Sequence, residues 1–388
     1  MRVTLVHSYY SSSSVSGENL AVDMQARALS DAGYEVDICA RSTDEQESRP
    51  LYGLRSAVRV ATGFDPDGQP SIRTESDRHI LHVHNLFPNF GTSLVSKWAG
   101  PVVATIHNFR TVCANGLLLR EGKPCTECLD GSPLAAVRHG CYRSSAVATM
   151  PLAVATWHPA SRNPVLSRTA QVIAQSERSA GVLRRAGVPE ETLTLVPGFT
   201  PEPANAQTTL DGSGRWVFVG RLSAEKGLRE LLPIWPAHVP LDVVGDGPEL
   251  AELTRLAGPE VRFLGAQEHS WVDRHLPSYA GLVFPGLCWE GAYPMVVREA
   301  LAHGVPVVAA DGSSAADLVA GRGGGVTYAK GSAVELRSAL DEVALSGEGL
   351  RSEARAIHLR EFTEAAWLDR MGAVYARAIA IRQRRGPG

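Results

Sequence analysis

The sequence predicts an α/β protein built from two doubly wound, Rossmann-like domains with a cleft between them. Three observations support this fold class. The chain has 388 residues, more than a single hydrophobic core usually holds. Both halves alternate short β-branched runs with amphipathic helical stretches, which is typical of parallel strands joined by crossover helices. A stretch rich in proline and small polar residues, 197–214, separates the halves as a linker would.

The predicted elements follow this division. In the first half we predict a helix over 17–33, and strands over 2–7, 35–40, 80–83 and 102–106. In the second half we predict strands over 215–219, 241–244, 261–264, 281–284 and 305–309. The domains are therefore expected to cover 1–200 and 201–365, followed by a final helix within 366–388. Ligands of such folds bind beyond the carboxyl ends of the strands, so residues there are the first candidates for a site.

The composition excludes several classes of protein. Apolar residues make up 44% of the chain and charged residues 20%, which is typical of a globular protein. The net charge of −3 argues against a broad basic surface for nucleic acid. No run reaches the roughly 18 apolar residues of a membrane span. Because the start of the chain runs directly into a strand pattern, we expect a cytoplasmic protein. Peripheral membrane contact through 144–158 or the terminal arginines is the alternative.

The turn after the predicted strand 215–219 carries the sharpest motif. The strand is expected to end at Gly220, a turn presents Arg221, and a helix is expected to begin near Lys226, with Gly227 permitting a close approach. Two cations at a helix start suit a diphosphate. The alternative is a solvated basic turn, although the chain has only four lysines. Gly245 lies in a Gly-Asp-Gly turn after the next predicted strand. Such turns are common in α/β proteins, so this one indicates a binding site only because it follows the Arg221 and Lys226 turn by one strand.

A second segment, 289–306, combines two carboxylates with a predicted helix start. Glu290 lies in a loop and Glu299 lies in the helix that follows, while the first-turn amides belong to residues around Met295 and Val296. Carboxylates suit the hydroxyl groups of a sugar or a ribose. The alternative is a pair of ordinary carboxylates near the helix start, where negative charge interacts favourably with the helix dipole.

The first half offers fewer chemical signals. Gly17 and Glu18 open a helix after the first strand, with the serines of 11–14 as a flexible approach, and His107 follows the strand 102–106. A lone histidine is more often structural, and His82 and His84, on one side of their strand, are weaker candidates. No dinucleotide fingerprint is present, and the glycine-rich stretch 321–325 is predicted to be a loop.

Four cysteines form a possible metal site in a loop-rich stretch. Cys113, Cys125, Cys128 and Cys141 have the spacing C-x11-C-x2-C-x12-C. Four thiolates suffice for a tetrahedral zinc site, and an iron–sulfur cluster uses the same ligands. The alternative is a set of buried or redox-active thiols. The other two cysteines, Cys39 and Cys288, are expected to be small core residues.

Taken together, these motifs resemble the retaining GT-B glycosyltransferases of family 4, the glycosyl transferases group 1. The likeness covers nearly the whole chain and rests on three segments in the family's order: the turn from Gly220 to Gly227, the Gly-Asp-Gly turn at Gly245, and 290–299 with the Gly-Val-Pro that follows it. The resemblance implies an acceptor-side domain over 1–200 with a cysteine-rich insertion at about 108–145. It also implies a nucleotide-sugar domain over 201–365 and a closing helix that crosses back to the first domain.

The resemblance also assigns roles to the residues that match the motifs. Arg221 and Lys226 would neutralise the donor diphosphate, Glu299 would bind the ribose and Glu290 the donor sugar. The amides around Met295 and Val296 would face the phosphate, Gly17 would approach it from the other domain, and His107 would line the reaction centre. One feature departs from the family: eight residues separate the two glutamates, one more than usual, with Ala292 as the extra residue. This insertion affects the expected contacts of Glu290 more than those of Glu299.

The expected activity is that of a retaining hexosyltransferase. It would move a sugar from a nucleotide-diphosphate sugar to a hydroxyl or amine acceptor by a front-face mechanism without a catalytic metal, since fixed cations can stabilise the leaving group. UDP-, GDP-, ADP- and dTDP-sugars all stay open as donors, and a small molecule, a glycan or a lipid-linked sugar as acceptor. The alternatives are a nucleotide-sugar epimerase of the same fold and a non-catalytic protein that binds nucleotide and metal.

Overall fold

A computed structural model of the chain describes residues 1–12, 17–70, 72, 76, 78–157, 163–203, 214–287 and 289–385. Ser13 and Ser14 of the expected flexible approach, residues 204–213 of the expected linker, and Cys288 lie outside these ranges. The chain divides into two compact units. The first consists of Met1–Leu118, Cys125–Val196 and Leu368–Gly388, and the second of Leu119–Pro124 and Pro197–Trp367.

The first unit is organised around a parallel sheet of six strands in the order β2-β1-β3-β4-β7-β8. Its strands are β1 (Arg2–Tyr9), β2 (Glu35–Ser42), β3 (Ile80–Asn85), β4 (Val102–Ile106), β7 (Gln171–Ala174) and β8 (Leu193–Leu195). A short antiparallel hairpin, β5 (Leu119–Arg120) and β6 (Lys123–Pro124), belongs to the second unit.

The helices of the first half are mostly short. They are α1 (Gly17–Asp31), α2 (Thr43–Glu47), α3 (Tyr52–Thr62), α4 (Ser93–Lys97), α5 (Glu127–Asp130), α6 (Leu134–His139), α7 (Ala146–Ala155), α8 (Pro164–Ser167) and α9 (Glu177–Arg185). The strands β3, β4 and β7 are buried along their whole length, because both faces of a parallel sheet are covered. Apolar residues accordingly predominate in β4 and β7, whereas β3 also buries two histidines and an asparagine.

The second unit repeats the architecture with the strand order β11-β10-β9-β12-β13-β14. The strands are β9 (Trp216–Val219), β10 (Leu241–Val244), β11 (Val261–Gly265), β12 (Gly281–Phe284), β13 (Val307–Ala310) and β14 (Gly325–Tyr328), all parallel. Its helices are α10 (Leu228–Leu231), α11 (Leu250–Leu256), α12 (His269–His275), α13 (Met295–Ala302), α14 (Ser314–Arg322), α15 (Ala333–Ser346) and α16 (Glu348–Ile357). A final helix, α17 (Glu364–Arg385), closes the chain.

The two parallel sheets with their helices confirm the predicted α/β class with doubly wound halves. One prediction is wrong: the stretch 321–325 is not a loop throughout. Helix α14 continues to Arg322, Gly323 and Gly324 turn with positive φ, and Gly325 begins β14. The glycine at 325 serves strand pairing, since a Cβ there would overlap the carbonyl oxygen of Val307 on the neighbouring strand.

Candidate active site

The turn after β9 places Lys226 at the end of a short 3₁₀ helix, Ala224–Lys226. The predicted helix begins later than expected, at Leu228, and α10 is only four residues long. The chain reverses at Gly227, whose φ of 77° favours glycine and whose missing Cβ leaves room for the carbonyl oxygen of Pro285. A helix this short contributes little dipole, so an anion bound at this turn would depend mainly on the cationic side chains.

Lys226 and Glu290 form an ion pair within the second unit. The Lys226 Nζ lies 2.7 Å from Glu290 Oε1, and both side chains are partly exposed, at 26% and 16%. The ammonium also lies 5.9 Å from the centre of the Phe284 ring, at the carboxyl end of β12. The structure therefore joins two of the residues that the sequence selects, although 64 positions separate them.

The extra residue of the 290–299 segment has a defined contact. The Ser314 hydroxyl, at the start of α14, donates to the Ala292 carbonyl oxygen at 3.2 Å and lies 3.4 Å from Glu290 Oε2. The insertion is therefore held by the same side chain that contacts Glu290. Helix α13 begins at Met295, so that residue and Val296 have the first-turn amides for which a helix has no internal acceptor.

Glu299 lies on α13 and contacts a residue that the sequence did not single out. Its Oε1 is 3.0 Å from His269 Nε2, at the start of α12. This hydrogen bond raises the pKa of His269 above 6.5. No motif marks His269, which lies 30 positions from its partner.

Two glycines bring the turns after β9 and β10 close together. A Cβ on Gly245 would overlap the carbonyl oxygen of Gly220, and the Gly245 φ of 140° is strained for other residues. Arg221, which follows Gly220 in the first of these turns, has an exposed side chain. The edge of the second sheet thus presents Arg221 and the pair of Lys226 with Glu290 at the carboxyl ends of β9 and β12.

In the first unit, His107 follows β4 and forms part of a line of hydrogen-bonded side chains. Its Nδ1 lies 2.9 Å from Gln175 Nε2, and its Nε2 lies 2.9 Å from His84 Nδ1. His82, two residues before His84 and on the same side of β3, contacts Tyr375 and Thr105 at 2.8 Å. Burial lowers the pKa of His82 to about 3 and holds the pKa of His84 well below 6.5. These two histidines are therefore neutral at physiological pH.

Glu18 is a further residue that sequence reasoning did not select for a role. Helix α1 begins at the exposed Gly17, and Glu18 Oε2 accepts hydrogen bonds from Asn108 at 3.2 Å and from the Tyr10 hydroxyl at 3.3 Å. Burial raises the pKa of Glu18 to about 7, against the opposing effect of Asn108, Tyr10 and Arg110. Asn108, which contacts Glu18, follows His107 in the sequence. The start of α1 and the segment after β4 therefore meet in one region of the first unit.

The described cysteines, including Cys113, Cys125, Cys128 and Cys141, are free thiols. Burial and the three neighbouring thiols raise the pKa of Cys128 to about 11. Cys113 Sγ donates to Asn115 Oδ1 at 3.0 Å. Across the described ranges, no group of three or more His, Cys, Asp or Glu side chains is placed to hold a metal ion. The predicted zinc or iron–sulfur site is therefore not supported, although the four thiols are electrostatic neighbours.

Two family models match the chain, one in each half. Residues 15–200 match the model described as "Glycosyltransferase Family 4", and residues 213–345 match "Glycosyl transferases group 1". Both models describe glycosyltransferases and together they cover most of the chain, so the chain is a glycosyltransferase. No curated protein sequence matches this glycosyltransferase. Among the described residues, no helix is both long and apolar enough to span a membrane.

Solved structures that resemble the chain along its length have the GT-B fold. Sucrose-phosphate synthase from Thermosynechococcus elongatus is 18% identical, with a TM-score of 0.66 over 98% of this chain and 99% of its own. The Anabaena protein HepE in complex with UDP is 16% identical, with a TM-score of 0.61 over 97% and 100%. A glycosyltransferase involved in avilamycin A biosynthesis is 16% identical, with a TM-score of 0.58 over 98% of each chain. The glycosyltransferase described here is thus a GT-B protein.

Proposed function

We propose that this glycosyltransferase transfers a hexose from a nucleotide-diphosphate sugar to an acceptor with retention of configuration and without a catalytic metal. The observation that carries the proposal is the ion pair between Lys226 and Glu290 at the carboxyl edge of the second sheet. A cation and a carboxylate 2.7 Å apart suit the two ends of a sugar diphosphate. The cation meets the phosphate oxygens and the carboxylate meets the sugar hydroxyls.

In this proposal the arriving diphosphate replaces Glu290 as the partner of Lys226, and Arg221 adds a second positive charge. The carboxylate of Glu290 then accepts hydrogen bonds from the sugar. Glu299, oriented by His269, binds the ribose hydroxyls, and the amides at Met295 and Val296 face the phosphate. Gly220 and Gly245 allow the backbone to lie close to the donor, and the roles of Gly17 and His107 stay those that the family resemblance implies.

The chemical step is a substitution at the anomeric carbon. The bond from that carbon to the diphosphate oxygen breaks, and the electron pair leaves with the diphosphate. The acceptor oxygen forms its bond on the same face, and its proton passes to a phosphate oxygen of the leaving group. Fixed cations lower the barrier because they stabilise the charge that develops on the diphosphate. No protein nucleophile is required in this sequence of events.

A UDP-sugar is the first donor to test. The related GT-B protein HepE has been solved with UDP and also with UDP-glucose, which supports a uridine nucleotide over the other bases. The experiment is thermal unfolding of the full chain with UDP, GDP, ADP and dTDP. A ligand at about 100 times its dissociation constant adds roughly 2.7 kcal/mol of stability, a visible shift.

The matched control compares two lysines of the chain. We expect Lys226→Ala to remove the nucleotide shift and transfer activity, while Lys97→Ala, an exposed position in the other unit, retains both. A full shift and normal turnover in Lys226→Ala would contradict the diphosphate assignment. Analysis of the products separates this proposal from an epimerase, which would return an altered sugar nucleotide in the absence of acceptor. Intact nucleotide binding with no turnover on any acceptor would favour the non-catalytic alternative.

Peripheral contact with a membrane is part of the proposal for a lipid-linked acceptor. Helix α7 exposes Val147 (80%), Met150 (54%) and Val154 (45%), whose spacing places them on one face. An exposed apolar face of this kind can lie in a bilayer interface. Sedimentation with anionic lipid vesicles tests this, and a Val147→Glu, Met150→Glu variant should lose any binding. Unchanged vesicle binding by that variant would exclude α7 as the contact.

A further inference from the structure

The first unit contains a half-enclosed cavity of about 120 Å³ at the carboxyl ends of β3 and β4. Its walls are largely apolar and come from several elements, with Val60 on α3, Leu152 on α7, Val165 on α8, and Phe87 and Phe90 after β3. An apolar cavity of about 150 Å³ is known to hold benzene. The cavity is therefore of a size for one small ring.

The hydrogen-bond line beside this cavity defines the tautomer of each histidine. Gln175 Nε2 lies 3.5 Å from the carbonyl oxygen of Ile106 as well as 2.9 Å from His107 Nδ1. Because a carbonyl only accepts, the nitrogen end of the amide faces both groups, and His107 Nδ1 accepts. His107 therefore has its proton on Nε2 and donates to His84 Nδ1 at 2.9 Å.

The position of the His107 proton determines the tautomer of His84, which lines the cavity. Its ring is neutral, and its Nδ1 accepts from His107, so its single proton is on Nε2. That Nε2 is buried and has no hydrogen-bond partner among the described residues. The His84 residue as a whole is only 6% exposed. A buried donor without an acceptor costs free energy that a ligand can recover.

One other side chain of the cavity wall shares this property. Thr111 Oγ1 is buried and, over the ranges the structure describes, also has no partner. The two arginines of the wall are different. Arg59 pairs with Asp65 and Asp67, and Arg110 donates to the Ala114 carbonyl oxygen at 3.1 Å while its guanidinium covers the Phe87 ring at 4.2 Å. Of the buried polar side-chain atoms in the described part of this wall, the two without a partner are therefore one N–H donor and one hydroxyl.

We propose that this cavity binds the acceptor through an otherwise apolar ring that carries a hydroxyl group, with His84 and Thr111 as the residues that recognise that group. This assignment rests on the proposed glycosyl transfer. A hydroxyl oxygen accepts from His84 Nε2–H while its proton is donated to Thr111 Oγ1, so both buried groups gain a partner.

Two other acceptor classes fit these groups poorly. A protonated amine has no lone pair for His84 Nε2–H, and its charge would be buried without a counter-ion. A free hexose has a ring of suitable size but would place several hydroxyl groups against the phenylalanine and aliphatic walls, which costs their hydration. The cavity therefore selects a hydroxyl over an amine and an apolar ring over a sugar ring.

The test is calorimetric titration of the full chain, without donor, with three probes of matched ring size: cyclohexanol, cyclohexylamine and glucose at pH 7. We expect cyclohexanol to bind at least tenfold more tightly than the other two. Thr111→Val removes the hydroxyl with little change in shape and should weaken cyclohexanol about tenfold, the effect of one hydrogen bond. Thr111→Ser retains a hydroxyl and should keep most of the affinity.

Two further variants prevent a false positive. Ala155→Phe extends a side chain from α7 into the cavity and should abolish binding of cyclohexanol, whereas His84→Phe should weaken it by removing the donor. Equal affinity for cyclohexanol and glucose, or unchanged binding in both Thr111→Val and Ala155→Phe, would overturn the proposal.

The nucleotide titration separates the two proposals. If UDP raises the unfolding temperature but cyclohexanol does not bind, the proposed acceptor class is wrong and the proposed glycosyl transfer is unaffected. If cyclohexanol binds selectively but no nucleotide changes the unfolding temperature, both the acceptor role of the cavity and the proposed glycosyl transfer are contradicted. We expect Thr111→Val to retain the full nucleotide shift, since Thr111 belongs to the first unit and Lys226 to the second.

Discussion

The Lys226 ammonium lies 2.7 Å from Glu290 Oε1, so the cation expected to bind a diphosphate already has a carboxylate partner without a ligand. An incoming diphosphate must compete with Glu290 for this lysine. The competition is weak, because a partly exposed ion pair contributes only about 0–1 kcal/mol. In the proposed mechanism, the displaced carboxylate is then available to the sugar.

This relationship predicts a separation of binding and turnover in Glu290→Gln. Loss of the competing charge should leave UDP affinity equal to or a few-fold above that of the wild type, whereas transfer from the sugar nucleotide should fall by at least tenfold. Calorimetry with UDP and a steady-state transfer assay measure the two quantities. Glu225→Gln, close in sequence to Lys226, is the matched control and should retain both. A Glu290→Gln variant with normal turnover would remove the sugar-binding role.

A second prediction concerns the close approach of the turns after β9 and β10. In Gly245→Ala the new Cβ would overlap the carbonyl oxygen of Gly220, and its φ of 140° is unfavourable for alanine. We expect the free energy of unfolding to fall by about 2 kcal/mol or more. Urea denaturation measures this change. Gly258→Ala is the control, since its Cβ would meet no atom within 4 Å and should change stability by less than about 0.5 kcal/mol.

Much of the fold could be predicted from the chain because short runs rich in apolar and β-branched residues mark its central strands. Strands β4, β10 and β12 begin and end where the sequence pattern predicts. The strands β7, β8 and β14 were not predicted. They have only three or four residues each, and β8 and β14 lie at sheet edges.

The candidate site could be predicted only where a local motif marks it. Lys226 and Glu290 lie in recognisable segments, and the structure places them together. The partners His269 and Gln175 have no such motif, because their contacts with Glu299 and His107 come from the alignment of separate parallel elements. The role of His84 depends on which nitrogen has the proton, and only the hydrogen-bond line through Gln175 determines that.

The raised pKa of Glu18 predicts a pH-dependent stability. Between the ordinary carboxyl value of 4.5 and about 7, Glu18 binds more protons in the folded state than in the unfolded state, so its contribution to stability falls as pH rises through this window. Glu18→Gln should lack this fall. The change in the free energy of unfolding from pH 5 to pH 8 should differ by about 2 kcal/mol between the wild type and Glu18→Gln. The exposed Glu45→Gln should respond as the wild type does, and an identical response in Glu18→Gln would contradict the raised pKa.

His358 predicts the opposite slope in the second unit. Burial, together with the positive charges of Arg355 and Arg298, lowers the pKa of His358 from 6.5 to about 4. The unfolded state therefore binds a proton first, and stability that is complete above pH 6.5 is lost as pH falls towards 4. The loss should be about 2 kcal/mol by pH 4.

His358→Gln should remove this part of the acid response, while His238→Gln, at an exposed position, should retain it. Urea unfolding at pH 7 and pH 4.5 measures both variants against the wild type. Because Glu18 becomes protonated and His358 becomes charged over overlapping pH ranges, the wild-type profile should be flatter than that of either single variant. The double variant Glu18→Gln, His358→Gln should also be nearly flat. A steep slope in the double variant would mean that other titrating groups dominate the pH dependence of stability.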